Sequence, residues 1–294
     1  MPSVVNGENV ILYYKNPAGV FYFNGGISEG MILGNIYSQI SSIENVGVAN
    51  DFLRANDGII RRFVTDANQP NITSLVSGTW AFEYYASIDS NVASSPYIYF
   101  IVKKYDGTTL TTIATSANTN LTTTDVKKYT NSVSIPTTTL TATDRIVIEV
   151  WAGNIGDRTV VFYTQGTKVA KVATTIPIDQ VFGASTNCTF DVSVDQVEVT
   201  SQTSAWFREY KIDVAGWNIS CDGLICLTGY SYKNMLDTQL AKSTIGIKFS
   251  IDDGTTPVVI TGNAIINSIS LTGPNNNTST YSVSLTGVGA YTIT

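Results

Sequence analysis

The chain has 294 residues, 43% hydrophobic, 11% aromatic and 14% charged, with 23 Gly and 8 Pro, which is enough apolar mass for a core and enough length for two domains. It contains no histidine, and this excludes Ser-His-Asp and Cys-His nucleophile pairs, imidazole general bases and His-ligated zinc or iron. Lys plus Arg is 17 against 23 Asp plus Glu, a net charge of −6, and basic residues cluster no further than Arg61-Arg62, Lys103-Lys104 and Lys127-Lys128, so no basic face for gripping nucleic-acid phosphates is expected.

Low charge with abundant Thr, Ser and Asn favours strand over helix, and the expectation is a mainly β protein. The N-terminus lacks a basic segment before its short apolar run, and no stretch nears the roughly 18 apolar residues of a membrane span, so neither export nor membrane insertion is expected. The Asn-x-Ser/Thr matches at Asn71, Asn187, Asn218 and Asn277 are chance matches in such a composition.

In chain order, residues Asn9 to Tyr14 and Val20 to Phe23 read as short strands, and Pro17 and Gly19 between them read as the turn of a β-hairpin. Residues 24–58 show no clean period and read as a connector with one short helix. From Ile59 to Thr164 seven apolar runs separated by turn residues predict an antiparallel sandwich or jelly roll. In the run from Arg145 to Trp151, alternation places Ile146, Ile148 and Val150 in the core and the others on the opposite face.

After Ile178 a second strand series spans Thr189 to Val194, Val197 to Thr200, Arg208 to Ile212, Trp217 to Cys221, Ile245 to Ile251, Val258 to Ile269 and Tyr281 to Gly289. One helix, Ser231 to Lys242, carries Tyr232, Met235, Leu236 and Leu240 on one face. That stripe is expected to pack on a sheet, with Ser231 or Thr228 as its cap.

Trp80, Phe82 and Tyr84 share one strand face, and Tyr97, Tyr99 and Ile101 share another. Both sets are expected in a core rather than as rings for stacking sugars. Trp217 is expected in the core and Trp206 in a loop or subunit contact. The odd number of cysteines, Cys188, Cys221 and Cys226, matches no metal or redox motif, so they are expected as buried thiols of a reducing cytosol rather than a disulfide. Asp252-Asp253-Gly254 reads as a turn rather than part of a calcium loop. Carboxylate-only glycoside hydrolysis survives the lack of histidine, yet nothing brings Asp89 to Asp144 or Glu83 to Glu149, and no catalysis is expected.

The segments CTFDVSVDQVEVTSQTSAW (188–206) and WNISCDG (217–223), followed by the helix, the Ile245 strand, GNAIINSI (262–269) and PNNNTSTYSVSLTGVG (274–289), resemble the major tail tube proteins of long-tailed bacteriophages. The first strands, Val10 to Phe23, resemble that family's opening. FVTD (63–66), GTWAF (78–82), LTATDRIVIE (140–149) and RTVVFY (158–163) resemble a β-sandwich module of phage virion proteins. The resemblance implies a tail-tube β-sandwich or barrel with one flanking helix in residues 1–26 and 177–294, interrupted by a jelly-roll-like sandwich in 27–176.

It further implies a structural protein of the virion tail, assembled in the host bacterial cytoplasm. Hexameric rings would stack into a tube that DNA passes without specific binding. No cofactor, metal or catalytic residue is implied. Expected partners are further copies of the chain, other phage tail proteins and, for an inserted domain projecting outward, a host-surface glycan. Ser201, Gln202, Thr203, Ser204, Trp206 and Phe207 are the candidate subunit-interface loop, and Tyr232, Met235, Leu236 and Leu240 the packing helix. The alternative is a head-decoration, adaptor or fibre protein that binds glycans or another virion protein.

Overall fold

The computed structural model describes residues 10–90, 95–201, 203–204, 207–225, 230–252, 257–275 and 277–294. The chain forms two compact units, a discontinuous one of Met1–Asn16 with Asp179–Thr294 and an inserted one of Pro17–Ile178. The first begins with β1 (Val10–Asn16). The inserted unit holds β2 (Val20–Ile32), β3 (Asn35–Ser41), β4 (Asn50–Arg54), β5 (Gly58–Thr65), β6 (Ser74–Leu75), β7 (Gly78–Ile88) and β8 (Tyr97–Tyr105). It continues with β9 (Leu110–Thr115), β10 (Thr119–Asn120), β11 (Lys127–Ile135), β12 (Thr138–Thr139), β13 (Arg145–Gly153), β14 (Val160–Thr164) and β15 (Lys171–Ala173). The chain returns through β16 (Ile178–Val181), β17 (Ala184–Glu198), β18 (Tyr210–Leu224), α1 (Tyr232–Leu240), β19 (Ile245–Ile251), β20 (Val258–Thr272) and β21 (Thr280–Ile293).

The discontinuous unit is one seven-stranded sheet in the order β16-β1-β19-β20-β21-β18-β17. Its alternating strands send Leu12, Ile219, Ile247, Phe249, Ala264 and Leu285 to a common core. The sheet coils strongly, as twisted strands with one apolar face must to bury it. Phe190 of the edge strand β17 thereby reaches Phe249 of β19, with ring centroids 5.9 Å apart. Trp217 fills the centre, its indole Nε1 donating to the Gly289 carbonyl at 2.9 Å. Gly262 and Gly287 make room for that ring: a Cβ on Gly287 would lie 2.0 Å from Trp217 Cε2.

The inserted unit is a sandwich built from a twelve-stranded sheet folded on itself, ordered β10-β8-β13-β5-β3-β2-β15-β7-β14-β4, with β11 on β7 and β9 on β8. Its layers meet through Phe82 of β7 and Phe100 of β8, stacked at 4.1 Å and 9°. Phe23 stands edge-on to Phe63 at 4.8 Å. Trp80, Phe82, Tyr84, Ile146, Ile148 and Val150 are all buried in this core, as their alternation predicts.

Several expectations give way. Val10 to Phe23 is not a hairpin: β1 pairs with β19, whereas β2 pairs with β3 and β15. Pro17 and Gly19 mark the crossing from one unit into the other, and residues 17–26, expected in the first domain, fall in the inserted unit, whose β2 starts at Val20. Residues 24–58 form no helix. They complete β2 and make β3 and β4, with Leu33 and Gly34 both at positive φ in the two-residue turn between Ile32 and Asn35, the geometry that matches strand twist.

The core face of β8 is Ile98, Phe100 and Val102, not Tyr97, Tyr99 and Ile101. Register decides it, because Phe100 pairs with Val150 and Val102 with Ile148. Val147 and Glu149, on the opposite face of β13, are also buried. A small second cluster of Ile32, Tyr37, Val64 and Val147 covers that side of the sheet. Cys188 and Cys221 are not free thiols: they stand opposite each other across β17 and β18 with Cα atoms 4.2 Å apart and form a disulfide. Cys226, Asp253 and Gly254 lie outside the described residues.

Candidate assembly surface

Beyond the disulfide, β17 and β18 leave the sheet as a two-stranded arm. Residues 191–200 and 207–216 are exposed on both faces, although the strands stay paired out to Glu198 and Tyr210. Paired residues share a face. Val194 pairs with Ala215 and Ile212 with Gln196, so Val214 points away from Val192 and Val194, and Val197 points away from Ile212 and Tyr210. All six of these Val, Ile and Tyr side chains are exposed, Ile212 by 70%. A lone two-stranded ribbon is marginal in water, and one that shows β-branched and aromatic side chains on both sides needs something to cover them. Five acidic residues on the arm, Asp191, Asp195, Glu198, Glu209 and Asp213, face only Arg208 and Lys211 as bases.

The expected interface loop sits at the tip of this arm. Ser201 and Ser204 close a turn, Ser204 N–H donating to the Ser201 carbonyl at 3.0 Å, and the Ser201 hydroxyl lies 2.8 Å from that of Thr203. Phe207 is exposed by 78%. Gln202 and Trp206 lie outside the described residues. Sequence reasoning singled out the tip and missed the shaft below it. Its signal was the apolar alternation of Val192 and Val194 and of Tyr210, Ile212 and Val214, read there only as short strands.

The helix packs less than its stripe predicts. Met235 is buried and Tyr232 half-buried, but Leu236 is exposed and Leu240 is exposed by 81%. At 3.6 residues per turn Leu236 stands about 100° and Leu240 about 140° round the helix from Met235, too far to share its buried face, and the far end is held by Gln239 Nε2 donating to the Asn267 carbonyl at 3.0 Å. Ser231 is the N-cap, yet its hydroxyl donates to Asn234 Oδ1 at 2.7 Å rather than capping a backbone amide. Thr228 is outside the described residues. Before the helix, Tyr230 stacks on Tyr14 at 4.0 Å. Burial pushes the Tyr230 hydroxyl up to about 12, against the opposing hydrogen bond with Thr238.

The carboxylates weighed for catalysis have separate partners. Glu83 meets Lys128 and Lys171, Glu149 meets Lys103 and Arg62, and Asp144 meets Lys104. Among the described residues no three Cys, Asp or Glu side chains gather as for a metal, and no helix is long and apolar enough to cross a membrane.

Residues 173–293 match the family described as phage tail tube protein. No curated protein matches the chain. Among solved structures, the tail of an empty gene transfer agent particle with C6 symmetry is 18% identical over 40% of this chain and 86% of its own, with a TM-score of 0.35. The baseplate of an anti-feeding prophage is 12% identical over 40% and 83%, with a TM-score of 0.30. A CocE/NonD family hydrolase from Staphylococcus aureus is 12% identical over 55% of this chain and 36% of its own, at 0.40. Residues 173–293, which supply the discontinuous unit from Asp179 onward and leave out only its N-terminal piece with β1 and its last residue, are a phage tail tube family segment, and the protein that carries them is a structural protein of the phage tail.

Proposed function

We propose that the discontinuous unit assembles into hexameric rings that stack into the tail tube, and that DNA passes along the bore without specific binding. The inserted unit stands outside the tube, where it meets glycans of the host surface, and assembly takes place in the host bacterial cytoplasm. The arm of β17 and β18 carries this reading. Its apolar residues lie open on both faces in a single chain, and each Val or Ile covered by a neighbouring copy contributes about 1.5–3 kcal/mol. Its excess of acidic residues also suits a surface past which DNA phosphates slide.

Negative-stain microscopy of the concentrated chain tests the reading, with a Val194→Asp, Ile212→Asp double variant beside it. Striated tubes with lateral knobs are expected for the natural sequence. The variant should stay monomeric with an unchanged circular dichroism spectrum and thermal midpoint, because both positions are exposed in the single chain. Compact monomers or trimers at every concentration would replace the tube with an adaptor or fibre role.

A further inference from the structure

The side of β8, β13 and β5 that faces away from the main sandwich core carries an ordered set of rings and charges. Tyr97 pairs with Gly153, Tyr99 with Trp151 and Ile101 with Glu149, and Glu149 pairs in turn with Arg62 of β5. The rings of Tyr99 and Trp151 lie 5.9 Å apart at 23°, with Tyr97 a further 6.1 Å from Tyr99. A Cβ on Gly153 would stand 2.6 Å from two ring carbons and the hydroxyl of Tyr97, so that ring lies across the bare glycine backbone. All three aromatic residues are half-buried, which fixes them and leaves part of each open.

Next to the rings, Glu149 organises two cations. It takes the Lys103 ammonium at 2.9 Å, Arg62 Nε at 3.5 Å and the Trp151 indole N–H at 3.0 Å. The carboxylate side chain is 3% exposed, against 19% for Lys103 and 26% for Arg62. A ligand arriving here therefore meets the cations and not the carboxylate. The cluster keeps one net positive charge in a chain of net charge −6, and binding Arg62 through Nε leaves the paired terminal nitrogens that suit a planar carboxylate. Flat rings offer the matching surface for the apolar face of a pyranose.

We propose that this face binds an acidic polysaccharide through carboxylate-bearing pyranose rings, with Tyr97, Tyr99 and Trp151 stacking the sugar and Arg62 and Lys103 taking its carboxylate. The proposal rests on the reading that the inserted unit faces the host surface, and names the site and the sugar class. Isothermal titration of the full chain with polygalacturonate oligosaccharides tests it, with dextran as the neutral probe and inorganic polyphosphate as the other anion.

Binding of polygalacturonate, weakened by salt and cut about tenfold or more in Arg62→Gln and in Tyr99→Ala, is expected, the size of losing one hydrogen bond to a charged group. Lys128→Gln, on a different part of the sheet, should bind as the natural chain does. Thermal midpoints identify any variant that fails to fold, and two separate substitutions guard against one that does. No binding of polygalacturonate, equal binding of dextran, preference for polyphosphate, or binding indifferent to both substitutions would overturn the proposal. Microscopy of the same samples separates the two readings: tubes without sugar binding remove this site alone, and sugar binding without tubes removes the tube alone.

Discussion

Trp217 shows how much one side chain organises in the discontinuous unit. Its ring is clamped by the bare backbones of Gly262 and Gly287 and tied by its N–H to Gly289. Gly287→Ala is expected to lower the unit's stability by about 1–3 kcal/mol through overpacking, read as a drop in urea midpoint. In the inserted unit, burial pushes the Asp144 carboxyl up, but the hydroxyl and amide of Thr141 and the Lys104 ammonium outweigh it and hold it below the ordinary carboxylate range. A carboxyl with a depressed folded pKa stabilises above its unfolded value and loses that contribution as pH falls through the folded one. Asp144→Ala should therefore cost about 1–3 kcal/mol at pH 7. The gap between variant and natural chain in urea titrations should narrow as the medium is acidified below the usual carboxylate range. A gap that widened in acid would reverse the assignment. Such residues were only partly legible in the sequence. Ile146, Ile148 and Val150 were readable as core because one strand face was more apolar than the other. Tyr97 and Tyr99 were not, because both faces of β8 are apolar enough to be the buried one, and only pairing with β13 chooses between them.

At the scale of elements, strands with strict alternation and clear turns were readable, and those shaped by glycine were not. β2 breaks register with β3 between Asn24 and Ser28 and again between Ser28 and Gly30, and each break shifts the alternation that marks a strand. β17 and β18 show another limit. Each reads as two short strands, since the period cannot tell a sheet from the arm that extends it. The disulfide lies within the sheet, three residues from the point where β18 parts from β21, and closes a loop with a sequence separation of 33. On the chain-entropy account a loop of this size stabilises by about 3–4 kcal/mol. Cys221→Ser is expected to lower the urea midpoint of the discontinuous unit accordingly. Non-reducing mass spectrometry of the natural chain should show Cys188 and Cys221 in one linked peptide; two free thiols in the folded protein would count against this pairing.

For the whole molecule, the question is how a chain interrupts one domain with another and still folds both. Each unit brings its own cut ends together. In the inserted unit, Gly19 N–H donates to the Ile176 carbonyl and Thr174 N–H to the Gly19 carbonyl, both at 2.8 Å, so its first and last strands close on each other. In the discontinuous unit β1 and β16 are neighbours in the sheet, and Phe182 N–H donates to the Leu12 carbonyl at 2.9 Å. Asn16 and Asp179 therefore end adjacent strands, and a few residues suffice to join them. A chain with residues 17–178 replaced by a short Gly-Ser linker is expected to fold, because the core around Trp217, Ile247 and Leu285 lies wholly within the retained segments. Residues 17–178 expressed alone should also fold, having the Phe82 and Phe100 core to themselves. The two pieces should melt independently, each with one cooperative transition in calorimetry. Under the tube reading the joined chain should also form tubes, now without lateral knobs, while the excised sandwich stays monomeric. An excised chain that unfolds would show that the interrupted unit depends on its insert. One that folds without forming tubes would show that the insert takes part in assembly.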